Sequence, residues 1–123
     1  MNNFGKYGLL GVRAVLTLAF AAAGLAKFAG VEMMVGTFDA IGVGQWFRYV
    51  TGAIELGAAI LLWVPGMQLL ASGLLVATMI GAVLAHLFIL GPSAVPALVL
   101  GILSAIVAFA YRDQMDRRTA QRV

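Results

Sequence analysis

Glu55 stands in the middle of RYVTGAIELGAAILLW, residues 48–63, a stretch otherwise apolar enough to lie in a membrane. A carboxylate at the centre of a membrane helix costs about 2.5–3.5 kcal/mol on insertion scales unless it meets a counter-charge, a proton or water. The groups able to answer it are few: Arg13, Lys27, Arg48 and His86. Arg13, Thr17, Phe20, Gly24 and Lys27 recur at steps of four and three, as do Arg48, Gly52, Glu55 and Ala59. Each set forms one stripe along a helix, and two antiparallel neighbours can turn such stripes toward each other. Counting about 1.5 Å per residue, Glu55 lies near the middle of its segment and Arg13 about 7–8 Å from the middle of its own. The reach of an arginine makes Arg13–Glu55 the expected ion pair. Lys27, Arg48 and His86 fall about 10 Å or more toward the other surface, a separate cationic layer onto which Glu32 or Asp39 can fold. In such a cluster Glu55 and His86 can take up and release protons while Arg13 and Lys27 hold charge balance. The plainer alternatives are that the cations snorkel to the headgroups, that His86 is interfacial and that Glu55 is structural.

Other chemistries are excluded by residue type. The chain has no cysteine and one histidine. Disulfides, iron–sulfur ligation and a single-chain zinc site are therefore not expected, and no metal site is assigned. No phosphate-binding glycine loop, nucleophile elbow or carboxylate pair is present. The chain carries no redox centre of its own.

The elements that must position these groups follow from composition. Of 123 residues, 63% are hydrophobic and 11% charged, with mean hydropathy +1.01. Soluble domains average about 25% charged. The pattern predicts a single all-α domain, a four-helix transmembrane bundle with spans at about 8–28, 46–64, 68–90 and 94–111, and a polar tail at 112–123. Lys6, Arg13 and Ala21-Ala22-Ala23 imitate a secretory signal, but three further apolar segments favour a retained span. Loops are short, with Pro65-Gly66 and Gly91-Pro92-Ser93 at turns. The exception is residues 29–45, where Met33, Met34, Phe38 and Ile41 can share one side of a short interfacial helix.

Basic residues set the expected orientation. Lys6, Arg13, Arg112, Arg117, Arg118 and Arg122 fall on the side of the termini, against Lys27 and Arg48 on the other. Both termini are thus expected in the cytoplasm, with the 29–45 loop facing outward. The basic tail suits anionic lipid heads better than nucleic acid. Gly73, Ala77, Gly81 and Ala85, and Ala97, Gly101 and Ala105, recur every four residues. Such faces allow close helix packing within the chain or in a homo-oligomer. The polar residues concentrate in the first two spans, unlike a transporter built from inverted halves.

The ordered set Arg13, Phe20, Gly24 and Lys27 within GLAKFAG, Phe38, Gly42, Arg48-Tyr49, Gly52-Ala53-Ile54-Glu55, Pro65-Gly66, Gly81, His86 and Pro96-Ala97-Leu98 resembles the DoxX/DoxX-like family of small four-helix bacterial membrane proteins. Val43 departs from it, since many members carry a proline there. The resemblance implies the bacterial cytoplasmic (inner) membrane. Members have been linked to quinone-coupled sulfur oxidation and to complexes handling thiol or oxidative stress. Thiol chemistry does not transfer to a chain without cysteine. The expectation is a quinone- or small-ligand-binding subunit of a redox-linked assembly, accessory to an oxidoreductase, with Arg13, Lys27, Arg48, Glu55 and His86 as the polar cluster. Two alternatives are a non-catalytic scaffold in which Arg13–Glu55 is structural, and a small-solute transporter.

Overall fold

A computed structural model describes residues 3–91 and 93–114. Pro92 in the expected 91–93 turn, and Arg117, Arg118 and Arg122 of the tail, lie outside the described residues. The described chain is all-helical, without strands: α1 (Asn3–Ala29), α2 (Glu32–Ile41), α3 (Trp46–Leu61), α4 (Gln68–Ala85) continuing into a π-helical stretch (His86–Leu90), and α5 (Val95–Ala110). Five α-helices are present among the described residues, the short α2 lying in the 29–45 connection. The connection expected as an outward loop is mostly α2, set off by Gly30 and Gly42 at φ +70° and +84°. Gly42 closes α2 in the left-handed conformation that glycine adopts without penalty, its N–H donating to the Phe38 carbonyl.

Among the described residues two helices are long and apolar enough to cross a membrane, α1 and the continuous Gln68–Leu90 segment. Helices α3 and α5 have 16 residues each, a rise of about 24 Å, short of a hydrocarbon core of about 30 Å. Pro96 sits in the first turn of α5, where its missing N–H leaves no helical bond unmade.

The four longer helices close a ring. The main contacts are α1 with α3 and α4 with α5; α3–α4 and α1–α5 contacts complete it. Leu16, Phe20, Leu62, Leu75 and Val107 are fully buried at its centre. At one end Gln114 ties α5 to α4: its Nε2 donates to Gln68 Oε1 at 2.7 Å, and its Oε1 accepts from the Leu69 N–H at 2.9 Å. That N–H is in the first turn of α4, where the helix offers it no partner.

The α1–α3 crossing is the tightest. A Cβ on Gly24 would stand 2.9 Å from the Gly52 carbonyl oxygen, and one on Gly52 would stand 3.0 Å from Lys27 Cβ. The two helices touch backbone to backbone because neither stripe has a side chain at the crossing. Phe20, Gly24 and Lys27 on α1 and Arg48, Gly52, Glu55 and Ala59 on α3 are all buried, so the two stripes face each other.

Candidate functional site

Lys27 and Glu55 meet just beside the glycine crossing. Lys27 Nζ lies 2.7 Å from Glu55 Oε1, and the residues are only 8% and 2% exposed. No hydroxyl or amide among the described residues hydrogen-bonds that oxygen, so lysine is its partner. The expected Arg13–Glu55 pair is corrected here: Glu55 pairs with Lys27. Side-chain direction explains it. Helical Cα–Cβ bonds tilt toward the N-terminus. Lys27, whose Cβ packs at Gly52, sends its amine back along α1, which is forward along antiparallel α3, to Glu55. Arg13 would have to point the opposite way.

Arg13 instead closes the far end. Its Nε and Nη2 donate to the Leu62 carbonyl at 3.2 and 2.7 Å, and its Nη1 donates to the Tyr111 hydroxyl at 3.1 Å. Its guanidinium lies 4.3 Å from the Trp63 ring centre. The Trp63 indole N–H donates to Thr17 Oγ1 at 2.6 Å. Leu62 ends α3, where carbonyls lack helical partners and positive charge is favoured. Arg48 does the same for α1. Its Nη1 donates to the Lys27 carbonyl, its Nε to Gln45 Oε1 at 2.7 Å and its Nη2 to the Tyr49 hydroxyl at 3.1 Å. Each of the two antiparallel helices thus has its C-terminal end capped by an arginine of the other. Arg13→Met is expected to lower unfolding free energy by about 1.5–3 kcal/mol, the range for a hydrogen bond to a charged group. Arg13→Lys, lacking the planar fork, should recover less than half of that in a detergent unfolding titration.

A cavity of about 1020 Å³ opens beside the Lys27–Glu55 pair, between α2, α3, α4 and the π-helical stretch. Its wall is mostly apolar. The polar side chains on it are Lys27, Thr37, Thr51, Glu55, Thr78 and His86. Neither Arg13 nor Arg48 lines it, so the five sequence candidates separate into a cavity group and two helix-end clasps. His86 is where α4 changes from α to π pairing, and its carbonyl accepts from the Gly91 N–H at 3.0 Å. Its Nδ1 is buried without a hydrogen-bond partner among the described residues. Such π stretches are frequent at functional sites.

Met33, Met34, Phe38 and Ile41, the expected single side of α2, all line this cavity. Phe38 stacks edge-on against Phe47 at 5.9 Å and seats α2 on α3. The small residues of α4 have a different use from the close packing their spacing suggests. Ala77, Gly81, Ala82 and Ala85 lie on the cavity wall, and a Cβ on Gly81 would meet no atom within 4 Å. In α5 the packing reading fits Gly101, where a Cβ would lie 3.2 Å from Met79 Cβ. The three threonines on the wall were not among the sequence candidates. Threonine in an apolar helix is too common to single out before a cavity is seen beside it.

The family model described as the DoxX-like family matches residues 11–110. A Bacillus subtilis (strain 168) protein named "Putative oxidoreductase CatD" is 32% identical over 84 residues, covering 68% of this chain and 63% of that protein. The chain is therefore aligned with less than two thirds of that relative's length. No solved structure matches the chain. The matched family residues span Arg13, Lys27, Arg48, Glu55 and His86.

Proposed function

Because this chain belongs to the DoxX-like family, we propose that it is a multi-pass protein of the bacterial inner membrane that binds a quinone or similar small ligand for a redox-linked assembly. The observation that carries this reading is the cavity. It is large and apolar, and among the described residues its wall holds one buried ion pair and one imidazole nitrogen without a hydrogen-bond partner. Ligand sites typically have such a form, an apolar volume of about 300–1,000 Å³ with a few converging polar groups. The name of the Bacillus relative supports an oxidoreductase context. The chain itself offers ligand binding and proton-exchanging groups, and a partner protein supplies the electron chemistry.

All four longer helices cross the bilayer in this reading. Helices α3 and α5 span it by local thinning and by their flanking residues, as short apolar helices do. Arg13 binds the Tyr111 hydroxyl near the end of α5, which puts the N-terminal part of α1 and the end of α5 at one end of the bundle. In this reading that end faces the cytoplasm, which the bias of Lys and Arg toward the terminal segments of the sequence supports.

The test is mass spectrometry of protein purified in mild detergent, with organic extraction of the bound material. A quinone-class molecule at near-stoichiometric amount is expected. Its absence, together with no rise in melting temperature on adding a decyl-benzoquinone, would contradict the reading. Gly81→Leu sharpens it. With open space at Gly81 and a better helix former in place, stability should hold or rise by up to about 1 kcal/mol. The side chain enters the cavity, so bound ligand should be lost. A scaffold with an idle cavity would show the first effect and keep its partner binding.

A further inference from the structure

Helix α2 roofs one end of the cavity. It packs against α1, α3 and the π-helical stretch, and the Phe38–Phe47 contact seats it. Gln45, just before α3, holds it there. Its Nε2 donates to the Val35 carbonyl at 3.0 Å and to Asp39 Oδ1 at 2.8 Å, while its Oε1 accepts from Arg48. The roof is two-sided. Met34, Phe38 and Ile41 line the cavity, whereas Glu32 and Asp39 are exposed and take no part in its wall. With the bundle in a membrane, α2 turns its charges to water and its apolar side to the cavity, as an interfacial amphipathic helix does.

The side of the cavity is built differently. Toward the Arg13 end, α3 and α4 close on each other through the buried Ala58, Leu62, Ala71 and Leu75. Toward the other end the cavity lies between them. Ile54 of α3, Ala77, Gly81 and Leu84 of α4, and Phe88 all line it and are all exposed, so they form its open rim. The gap exists because Ala77 and Gly81 put almost no side chain into it; a Cβ on Gly81 would meet no atom within 4 Å. Ile54 and Ala77 lie about 12–14 Å along their helices, which puts this opening at the level of the hydrocarbon rather than the headgroups. Lys27 and Glu55 are buried on the inner wall. The cavity is thus roofed toward water, open toward lipid and charged within. We propose that it is entered sideways from the bilayer, through the gap between α3 and α4, and that its ligand is a single-tailed amphiphile whose head reaches Lys27, Glu55 and His86 while the tail leaves through that gap. This rests on the ligand-binding reading above and adds the class of ligand and its route. A tail seated on this rim covers only apolar side chains, so no polar group loses a partner when it binds.

The experiment uses the whole chain in lipid nanodiscs and a decyl-benzoquinone carrying a diazirine midway along its tail. After photolysis, adducts are mapped by peptide mass spectrometry, with and without excess unmodified decyl-benzoquinone. Labelling that the competitor removes is expected on α3 and α4, at Ile54, Leu84 and Phe88. Competable labelling confined to α2, or to α1 and α5, would overturn the sideways route while leaving the ligand site standing. No competable labelling, together with no rise in melting temperature, would overturn both readings. Ala77→Phe tests the gap itself, since the ring fills it without replacing Lys27, Glu55 or His86. Decyl-benzoquinone should then bind about tenfold more weakly, the scale of overpacking at one site. The same benzoquinone head without a tail should keep its equilibrium affinity. Unchanged decyl-benzoquinone affinity in a variant that melts like the parent, or an equal loss for both probes, would overturn the gap as the seat of the tail.

Discussion

Lys27→Met should be the most damaging single substitution in the molecule, with a loss of about 3–5 kcal/mol of unfolding free energy. Methionine keeps most of the apolar stem and deletes the charge. What remains is Glu55, 2% exposed, with its nearest cation gone and no hydroxyl or amide taking over Oε1 among the described residues. Arg48 cannot substitute, because its guanidinium is committed to the Lys27 carbonyl, Gln45 and Tyr49. Arg13 is committed at the other end, to Leu62 and Tyr111. Breaking a buried pair from one side is costly for this reason: the surviving charge has already lost its water. Mixed-micelle unfolding, followed by helix content, measures the loss.

Gly24→Ala is the second. A single methyl there would stand 2.9 Å from the Gly52 carbonyl oxygen and 3.2 Å from Leu56 Cβ. The first of these is a backbone atom and cannot turn aside as the tip of a side chain would. The helices must separate, at a cost of about 1–3 kcal/mol for overpacking alone. Separation also draws Lys27 from Glu55, so the full loss should lie at or above the top of that range. Gly57→Ala in α3 is the matched control. Nothing lies within 4 Å of its added methyl, and the gain in helix propensity should raise stability by up to about 1 kcal/mol. Opposite shifts in melting temperature for two glycine-to-alanine changes in one helix pair are the expected result. Equal shifts would contradict the glycine crossing.

Much of this arrangement was legible in the residue order. The steps of four and three placed Phe20, Gly24 and Lys27 on one face and Arg48, Gly52, Glu55 and Ala59 on another, and those faces meet. The side shared by Met33, Met34, Phe38 and Ile41 likewise became a cavity wall. Periodicity gives direction around a helix. It says nothing of which way a long side chain leans along the axis, and that decided the pairing. Depth alone left Arg13 as the partner of Glu55. The N-terminal tilt of helical side chains turns Lys27 toward Glu55 and Arg13 toward the end of α3.

The arginines show a second limit. Arg13 and Arg48 read as members of one polar cluster because each lies on a stripe with acidic or basic neighbours. Their donors go to carbonyls at helix ends, partners that carry no mark in the sequence. The small residues of α4 show a third. Alanine and glycine every fourth residue signal close packing or empty space equally well, and only the position of α2 distinguishes the two. Here Ala77 and Gly81 face a cavity, while Gly101 of α5 packs on Met79.

The most direct measurement is a double-mutant cycle on unfolding free energy, with Lys27→Met, Glu55→Leu and both together, and Arg13→Met with Glu55→Leu as the reference cycle. If Lys27 answers Glu55, the Lys27→Met, Glu55→Leu double variant should recover most of what Lys27→Met loses, with a coupling of about 2 kcal/mol or more, within the range for residues in contact. The Arg13 cycle should be additive to within about 0.5 kcal/mol, as for independent sites. Additivity at Lys27 together with strong coupling at Arg13 would contradict the account.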